Sequence, residues 1–269
     1  MKNSGSMVDI GVNLSDKQFR DDIEGVLNRA KQACVNKLVL TGTSVDASKA
    51  VIGLCDEFDS TFPDMLYATV GIHPHDADQL SDNSLSQLRT LAEHPKAVAI
   101  GETGLDFHRN LSPPSNQIHA FESQLELAAE LNMPLFMHER DAAQRQLEIL
   151  RAYRDHFTQG VIHCFTGDRN TLFKYLDLDL HIGITGWICD ERRGLELQKL
   201  VANIPLNRLM IETDAPYLLP RTIKPPPNRR RNEPCYLPWV LEMISSSRGE
   251  SKDFLAAATR KTAQLFFNI

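Results

Sequence analysis

The chain has 269 residues, of which 42% are hydrophobic and 24% charged, the composition of an ordinary globular protein and one that excludes a largely disordered chain. Its net charge of −6 excludes a globally basic nucleic-acid binder, so any anionic partner has to be drawn by a local patch. No apolar run approaches the roughly 18 to 20 residues that cross a bilayer, and five scattered cysteines without a C-x-x-C pair suit a reducing cytoplasm better than a disulfide framework.

Met1–Ser6 is polar and lacks an apolar signal core. It reads as a remnant of the expression vector (residues 1–6), with Met7 as the natural start and 7–269 as one domain. Short apolar, β-branched runs then recur at Val8–Leu14, Lys37–Thr41, Leu66–Ile72, Ala97–Gly101, Pro134–His138, Gly160–Phe165, His181–Thr185 and Leu209–Thr213. Helical patterns lie between them. Ser81 reads as an N-cap ahead of Leu85, Leu88 and Leu91. In Ser115–Leu131, the residues Ile118, Phe121, Leu125 and Ala128 share one face at helical period. Two further helices are expected over Tyr236–Ser247 and Ser251–Phe266.

Strands alternating with helices imply βαβ units and a parallel sheet. Eight such units in a chain of this length match a single (β/α)8 TIM-type barrel of the α/β class. An open doubly wound sheet is the competing architecture. It usually carries a glycine-rich phosphate loop after the first strand, and Gly11–Ser15 is not one. Arg221–Arg231 combines five cations and three consecutive prolines without an acid, and reads as a rigid basic loop after the last strand.

Active sites of such barrels lie at the C-terminal ends of the strands. Those ends carry Asn13, Thr41, His73, Glu102, His138, His163, Thr185 and Asp214. A lone histidine there is more often a hydrogen-bonded structural residue, Glu102 could pair with an arginine, and Asp214 could cap a helix. Four metal-competent groups at corresponding positions argue instead for one shared centre. Glu102, His138, His163 and Asp214 offer N and O donors suited to Mg²⁺, Mn²⁺ or Zn²⁺. Cys164 follows His163 directly and is expected to face the core.

Four blocks, Thr69–Pro74 (TVGIHP), Ala99–Asp106 (AIGETGLD), His163–Gly167 (HCFTG) and Ile211–Leu218 (IETDAPYL), make the sequence resemble the TatD family of metal-dependent deoxyribonucleases, within the amidohydrolase-like barrels. The similarity runs from Val8 to Phe267, and the strings Ile182–Trp187 and Cys189–Gly194 point to the family's namesake branch. The family usually opens with Asp-x-His-x-His, which supplies a second metal. Here Asp9-Ile10-Gly11-Val12-Asn13 lacks both histidines, so one strong site is expected and a second is weak or missing.

The resemblance implies that Glu102, His138 and His163 hold the metal with Asp214 beside it, and that His73 contacts substrate or helps hold the ion. It further implies metal-dependent hydrolysis of phosphodiesters, Mg²⁺ being the usual ion, 3′-to-5′ and exonucleolytic on single-stranded DNA or RNA. A role in DNA repair or degradation, a cytoplasmic location, a monomer and no membrane association complete that picture. Glu102 and Asp214 carry the catalytic roles, with Asp214 taking the proton of the attacking water. Arg192, Arg193, Arg229, Arg230 and Arg231 are expected to hold phosphates, because a guanidinium matches a phosphate bidentately; an exposed, merely solvated cluster is the alternative. Two rival functions are a small-molecule amidohydrolase or lactonase and a metal-binding protein that has lost catalysis. The former commonly uses strand-one histidines or a bridging lysine, and neither is visible here.

Overall fold

Eight strands and nine main helices alternate along the described residues: β1 (Met7–Val12), α1 (Ile23–Gln32), β2 (Val35–Leu40), α2 (Val45–Phe58), β3 (Leu66–Val70), α3 (Asp82–Ala92), β4 (Ala97–Asp106), α4 (Pro114–Leu131), β5 (Leu135–Arg140), α5 (Ala143–Ala152), β6 (Gly160–Ile162), α6 (Arg169–Leu176), β7 (His181–Ile184), α7 (Leu195–Leu200), β8 (Leu209–Ile211), α8 (Leu237–Arg248) and α9 (Lys252–Phe267). The computed structural model describes residues 5–227 and 230–269. The strands form one sheet in the order β1 to β8. Val12, the last residue of β1, forms a parallel bridge with Ala215, which lies past the end of β8. This is the expected (β/α)8 barrel.

Two compact units divide the chain. One contains the chain up to Leu40, Cys164–Asp168 and Ile182–Ile269. Its β1 is buried at every position, as a parallel strand covered on both faces should be. The other contains Thr41–His163 and Arg169–His181, and with them β3 to β6.

Local sequence explains the second unit's geometry. The α3 helix starts on a capping box: the Ser81 hydroxyl accepts from Ser84 N at 3.1 Å, and the Ser84 hydroxyl accepts from Ser81 N at 2.7 Å. The face that α4 buries differs from the expected apolar stripe. Ile118 is only half-buried, whereas Gln117 and Gln124 are fully buried beside Phe121, Leu125 and Ala128. The reason is backbone pairing where strands end. Gln124 accepts from Ile72 N at 2.8 Å and donates to Ile72 O and Thr103 Oγ1. Gln117 accepts from Asp106 N at 2.8 Å and donates to Asp106 O and Ser112 O. Gln146 of α5 accepts from Leu105 N at 3.1 Å. Buried backbone groups must find partners, and these three amides fix the strand ends that carry the site.

Candidate functional site

Glu102 owes its position to an irregularity in β4. Ile100 registers with Leu135 and Thr103 with Met137, so three steps on β4 oppose two on β5, and the extra residue makes a bulge at Gly101-Glu102. Bulges re-aim side chains beside active sites. Glycine makes this one possible. Gly101 and Gly104 have φ of +142° and +133°, and a Cβ on either would lie about 2 Å from the carbonyl oxygen of Phe136 or His138 respectively. The two strands therefore approach closely just where Glu102 and His138 face each other.

Three imidazoles converge on one oxygen of this carboxylate. Glu102 Oε1 lies 2.9 Å from His163 Nε2, 3.0 Å from His138 Nδ1 and 3.2 Å from His73 Nε2. His73, Glu102 and His138 each offer a ligand atom, and these atoms all lie within 4.8 Å of one another. Ligands bonded to one ion at about 2.0–2.2 Å sit roughly 3 to 3.5 Å apart, so the spacing fits a shared metal ion. His163 is braced by Phe136, whose ring stacks on it at 4.8 Å. Burial pushes the Glu102 pKa upward, but His163, His73 and the hydrogen bond from His138 overcome this and hold it well below the usual carboxylate range. His73 is pushed down by burial.

Behind this cluster lies a second carboxylate, buried Asp106. Its Oδ2 lies 2.7 Å from His75 Nε2 and 3.3 Å from His138 Nε2, and its Oδ1 accepts from Arg109 N at 2.7 Å. Burial opposes its ionisation, and the hydrogen bonds from His138, Arg109 N and His75 reverse that, lowering its pKa. Asp106 thus anchors the outer nitrogen of His138 and turns Nδ1 toward Glu102, the carboxylate–histidine arrangement that orients metal ligands.

Asp214 belongs to the other unit. It follows β8 with φ +54°, donates its N–H to Gly11 O at 2.9 Å, and accepts at Oδ1 from Asn13 Nδ2 at 2.9 Å. Next to it, Thr213 donates its N–H (2.8 Å) and hydroxyl (2.6 Å) to fully buried Asp9. Burial raises the Asp9 pKa to about 8 against those bonds. Cys164 is half-buried rather than core. It lies beyond the end of β6 with φ +48°, outside the strand whose alternation would have turned it inward.

The arginines expected on phosphate divide sharply. Arg231 is built into a four-charge network: its guanidinium meets Asp22 at 3.1 Å and Glu233 at 2.5 Å, while Arg29 meets the same two acids at 2.7 Å each. It also lies over the Phe19 ring. Arg193 pairs with Asp190 at 3.0 Å and stacks on Trp187 at 4.2 Å. Arg192 and Arg230 are exposed, and Arg229 lies outside the described residues. The expectations from sequence passed over His75 and Asp106, although Asp106 stands in a quoted motif.

Comparison with known proteins agrees with this architecture. Residues 8–268 match the model of the TatD-related DNase family. The chain is 47% identical over 263 residues to a protein of Pectobacterium carotovorum named 3′-5′ ssDNA/RNA exonuclease TatD, covering 98% of this chain and all of that one. A Salmonella typhimurium protein of the same name is 48% identical over 98% of this chain and 99% of its own. A TatD homologue from Escherichia coli superposes with a TM-score of 0.88 at 28% identity, covering 99% of both chains. A TatD-family hydrolase from Entamoeba histolytica does so with 0.89 at 25% identity, covering 97% of this chain and 98% of its own. The chain belongs to the TatD-related DNase family, and with it to the metal-dependent hydrolases of nucleic-acid esters.

Proposed function

We propose that this chain removes nucleotides from the 3′ end of single-stranded DNA or RNA, in DNA repair or degradation in the cytoplasm, acting as a monomer. The observation that carries the hydrolytic reading is the convergence of His73, His138 and His163 on one oxygen of Glu102. The substrate and its polarity follow the names of relatives that match over nearly their whole length.

Glu102, His138 and His163, with His73, would hold a divalent ion. Bound there, the ion would polarise the phosphoryl oxygen and lower the pKa of water. Three imidazoles with one carboxylate suit Mn²⁺ or Zn²⁺ better than Mg²⁺, the ion the family resemblance favours. Asp106 holds the outer nitrogen of His138 and so turns its Nδ1 toward Glu102, ready to serve as a ligand were the ion bound. Asp214 stands directly after β8, at the strand end where barrels place catalytic groups, and takes the proton from the attacking water. Arg192 and Arg230 bind flanking phosphates, together with Arg229; Arg193, paired with Asp190, and Arg231, paired with Asp22 and Glu233, support them by tying down their loops. A 3′-labelled and a 5′-labelled single strand, digested with Mg²⁺, Mn²⁺ or Zn²⁺, test the proposal. Immediate loss of 3′ label with a ladder from the 5′-labelled strand is expected. No digestion with any of the ions would sink it.

A further inference from the structure

We propose that Arg109 and Arg140 form a phosphate-gripping pair that holds the backbone of a single-stranded nucleic acid beside the Glu102 cluster. The inference rests on the nuclease reading and adds a part of the substrate site to it.

Alternate residues of a strand face the same side, so Arg140 points the way His138 does and stands two residues, about 7 Å, further along β5. Its backbone is fixed at the end of the β4–β5 ladder. Arg140 registers with Asp106, and its carbonyl accepts from Phe107 N at 2.9 Å. Arg109 is tied to the same place, because its N–H binds Asp106 Oδ1 while Asp106 Oδ2 touches His75 and His138. Asp106 thus links all three: its carboxylate holds the Arg109 backbone and the cluster histidine, and its backbone stands opposite Arg140 in the ladder.

What the two side chains do not touch gives them a purpose. Both residues are exposed, and neither guanidinium has an ion pair or hydrogen bond among the described residues. This occurs in a chain with 35 acidic and 29 basic side chains, where Arg193 and Arg231 are each committed to acids. The nearby acids are already engaged: Asp106 is buried and accepts three bonds, Asp141 meets His108 at 2.7 Å, and Glu139 accepts from Ala142 N at 2.9 Å. Both guanidiniums are therefore left open to an external anion next to a site for phosphodiester chemistry. A planar guanidinium fork matches a phosphate with two hydrogen bonds, and such pairing makes binding salt-dependent without regard to base sequence.

The test compares the parent, Arg109→Gln, Arg140→Gln and the double variant on two substrates in the presence of Mn²⁺: a twelve-nucleotide single strand, and thymidine 5′-(p-nitrophenyl) phosphate, which has one phosphodiester and no flanking phosphate. The double variant should lose at least about 10-fold in kcat/KM on the oligonucleotide, mostly through KM, and less than about 2-fold on the small ester. In binding measured with chelator, its slope of log K against log salt should shrink by about 1.4, roughly 0.7 for each single-strand phosphate that is no longer neutralised. An unchanged slope, or equal losses on both substrates, overturns the pair while leaving the nuclease reading intact. A parent that hydrolyses neither substrate defeats the nuclease reading itself and, with it, the role of the pair.

Discussion

Asn13 donates from Nδ2 to Oδ1 of Asp214 at 2.9 Å, across 201 positions of sequence. The position that resembles the second histidine of a strand-one metal motif therefore carries an amide that aims a carboxylate. The backbone reinforces the arrangement: Asn13 N binds Ala215 O at 2.8 Å and Asp214 N binds Gly11 O at 2.9 Å. A hydrogen bond to a charged group contributes about 1.5 to 3 kcal/mol. Asn13→Ala should lower kcat on single-stranded DNA by about 10- to 100-fold if that bond is realised in the transition state. Asn13→Asp should be worse, because a second carboxylate faces the first. Parental turnover in Asn13→Ala would show that Asp214 needs no such support.

Asp214→Asn separates chemistry from fold. Asparagine keeps the size, an acceptor oxygen for Asn13 and the backbone bonds, but it cannot take a proton. Loss of one positioned general base costs about 10²- to 10⁴-fold. The variant should melt near the parental temperature while releasing nucleotides at least about 100-fold more slowly. Digestion at the parental rate would remove Asp214 from the base role.

Metal binding can be read without turnover. Calorimetry should find one tight Mn²⁺ or Zn²⁺ per chain, abolished in Glu102→Gln. Asp106→Asn should weaken it by about 10- to 100-fold, the usual cost of removing the partner that orients a ligand. Saturating metal at about 100 times Kd should stabilise the protein by about 2.7 kcal/mol, seen as a lower melting temperature in chelator. Two ions of equal affinity would contradict the expectation drawn from Gly11 and Asn13.

Much of this was legible before any coordinates. Periodic apolar runs located all eight strands, because a strand covered on both faces has to be apolar along its length. The C-terminal ends of those runs pointed to Glu102, His138 and His163, which the structure brings together, and to Asp214. Tertiary pairing hid the rest. Gln117 and Gln124 look like surface residues of α4 until the strand-end backbone groups they satisfy are known. Past the bulge at Gly101-Glu102, β4 continues to Asp106, well beyond the apolar run that marks it. The basic segment Arg221–Arg231 reads as one patch, yet Arg231 is consumed by Glu233, just outside the segment, and by Asp22, far away in the sequence.

That division predicts different consequences for neighbouring arginines. Arg231→Ala removes one of the two cations shared by Asp22 and Glu233, leaving both acids to Arg29, and also removes the packing over Phe19, so it should lower the melting temperature. Arg192→Ala and Arg230→Ala should leave melting unchanged and flatten the salt dependence of DNA binding by about 0.7 each. The triple variant Arg229→Ala/Arg230→Ala/Arg231→Ala should show both effects. An unchanged slope in Arg192→Ala and Arg230→Ala would mean that these side chains are solvated and nothing more.

Asp9 supplies a test that involves no substrate. Its carboxyl is fully buried, and burial raises its pKa from 3.8 to about 8 despite bonds from Thr213 and Gly11. Near pH 7 it is protonated in the native protein and ionised in the unfolded chain. With the folded value above the unfolded one, its contribution to stability is fully present below about pH 4 and is lost as pH rises through about 8. Asp9→Asn keeps the shape and never ionises. Its Oδ1 can accept from Thr213 N, and its Nδ2 can donate to the Thr213 hydroxyl. Subtracting parent from variant cancels every other titrating group, so the difference in melting temperature should grow in favour of Asp9→Asn between pH 4 and pH 8. A difference independent of pH would show that Asp9 stays ionised in the native protein, with Thr213 as its sufficient partner.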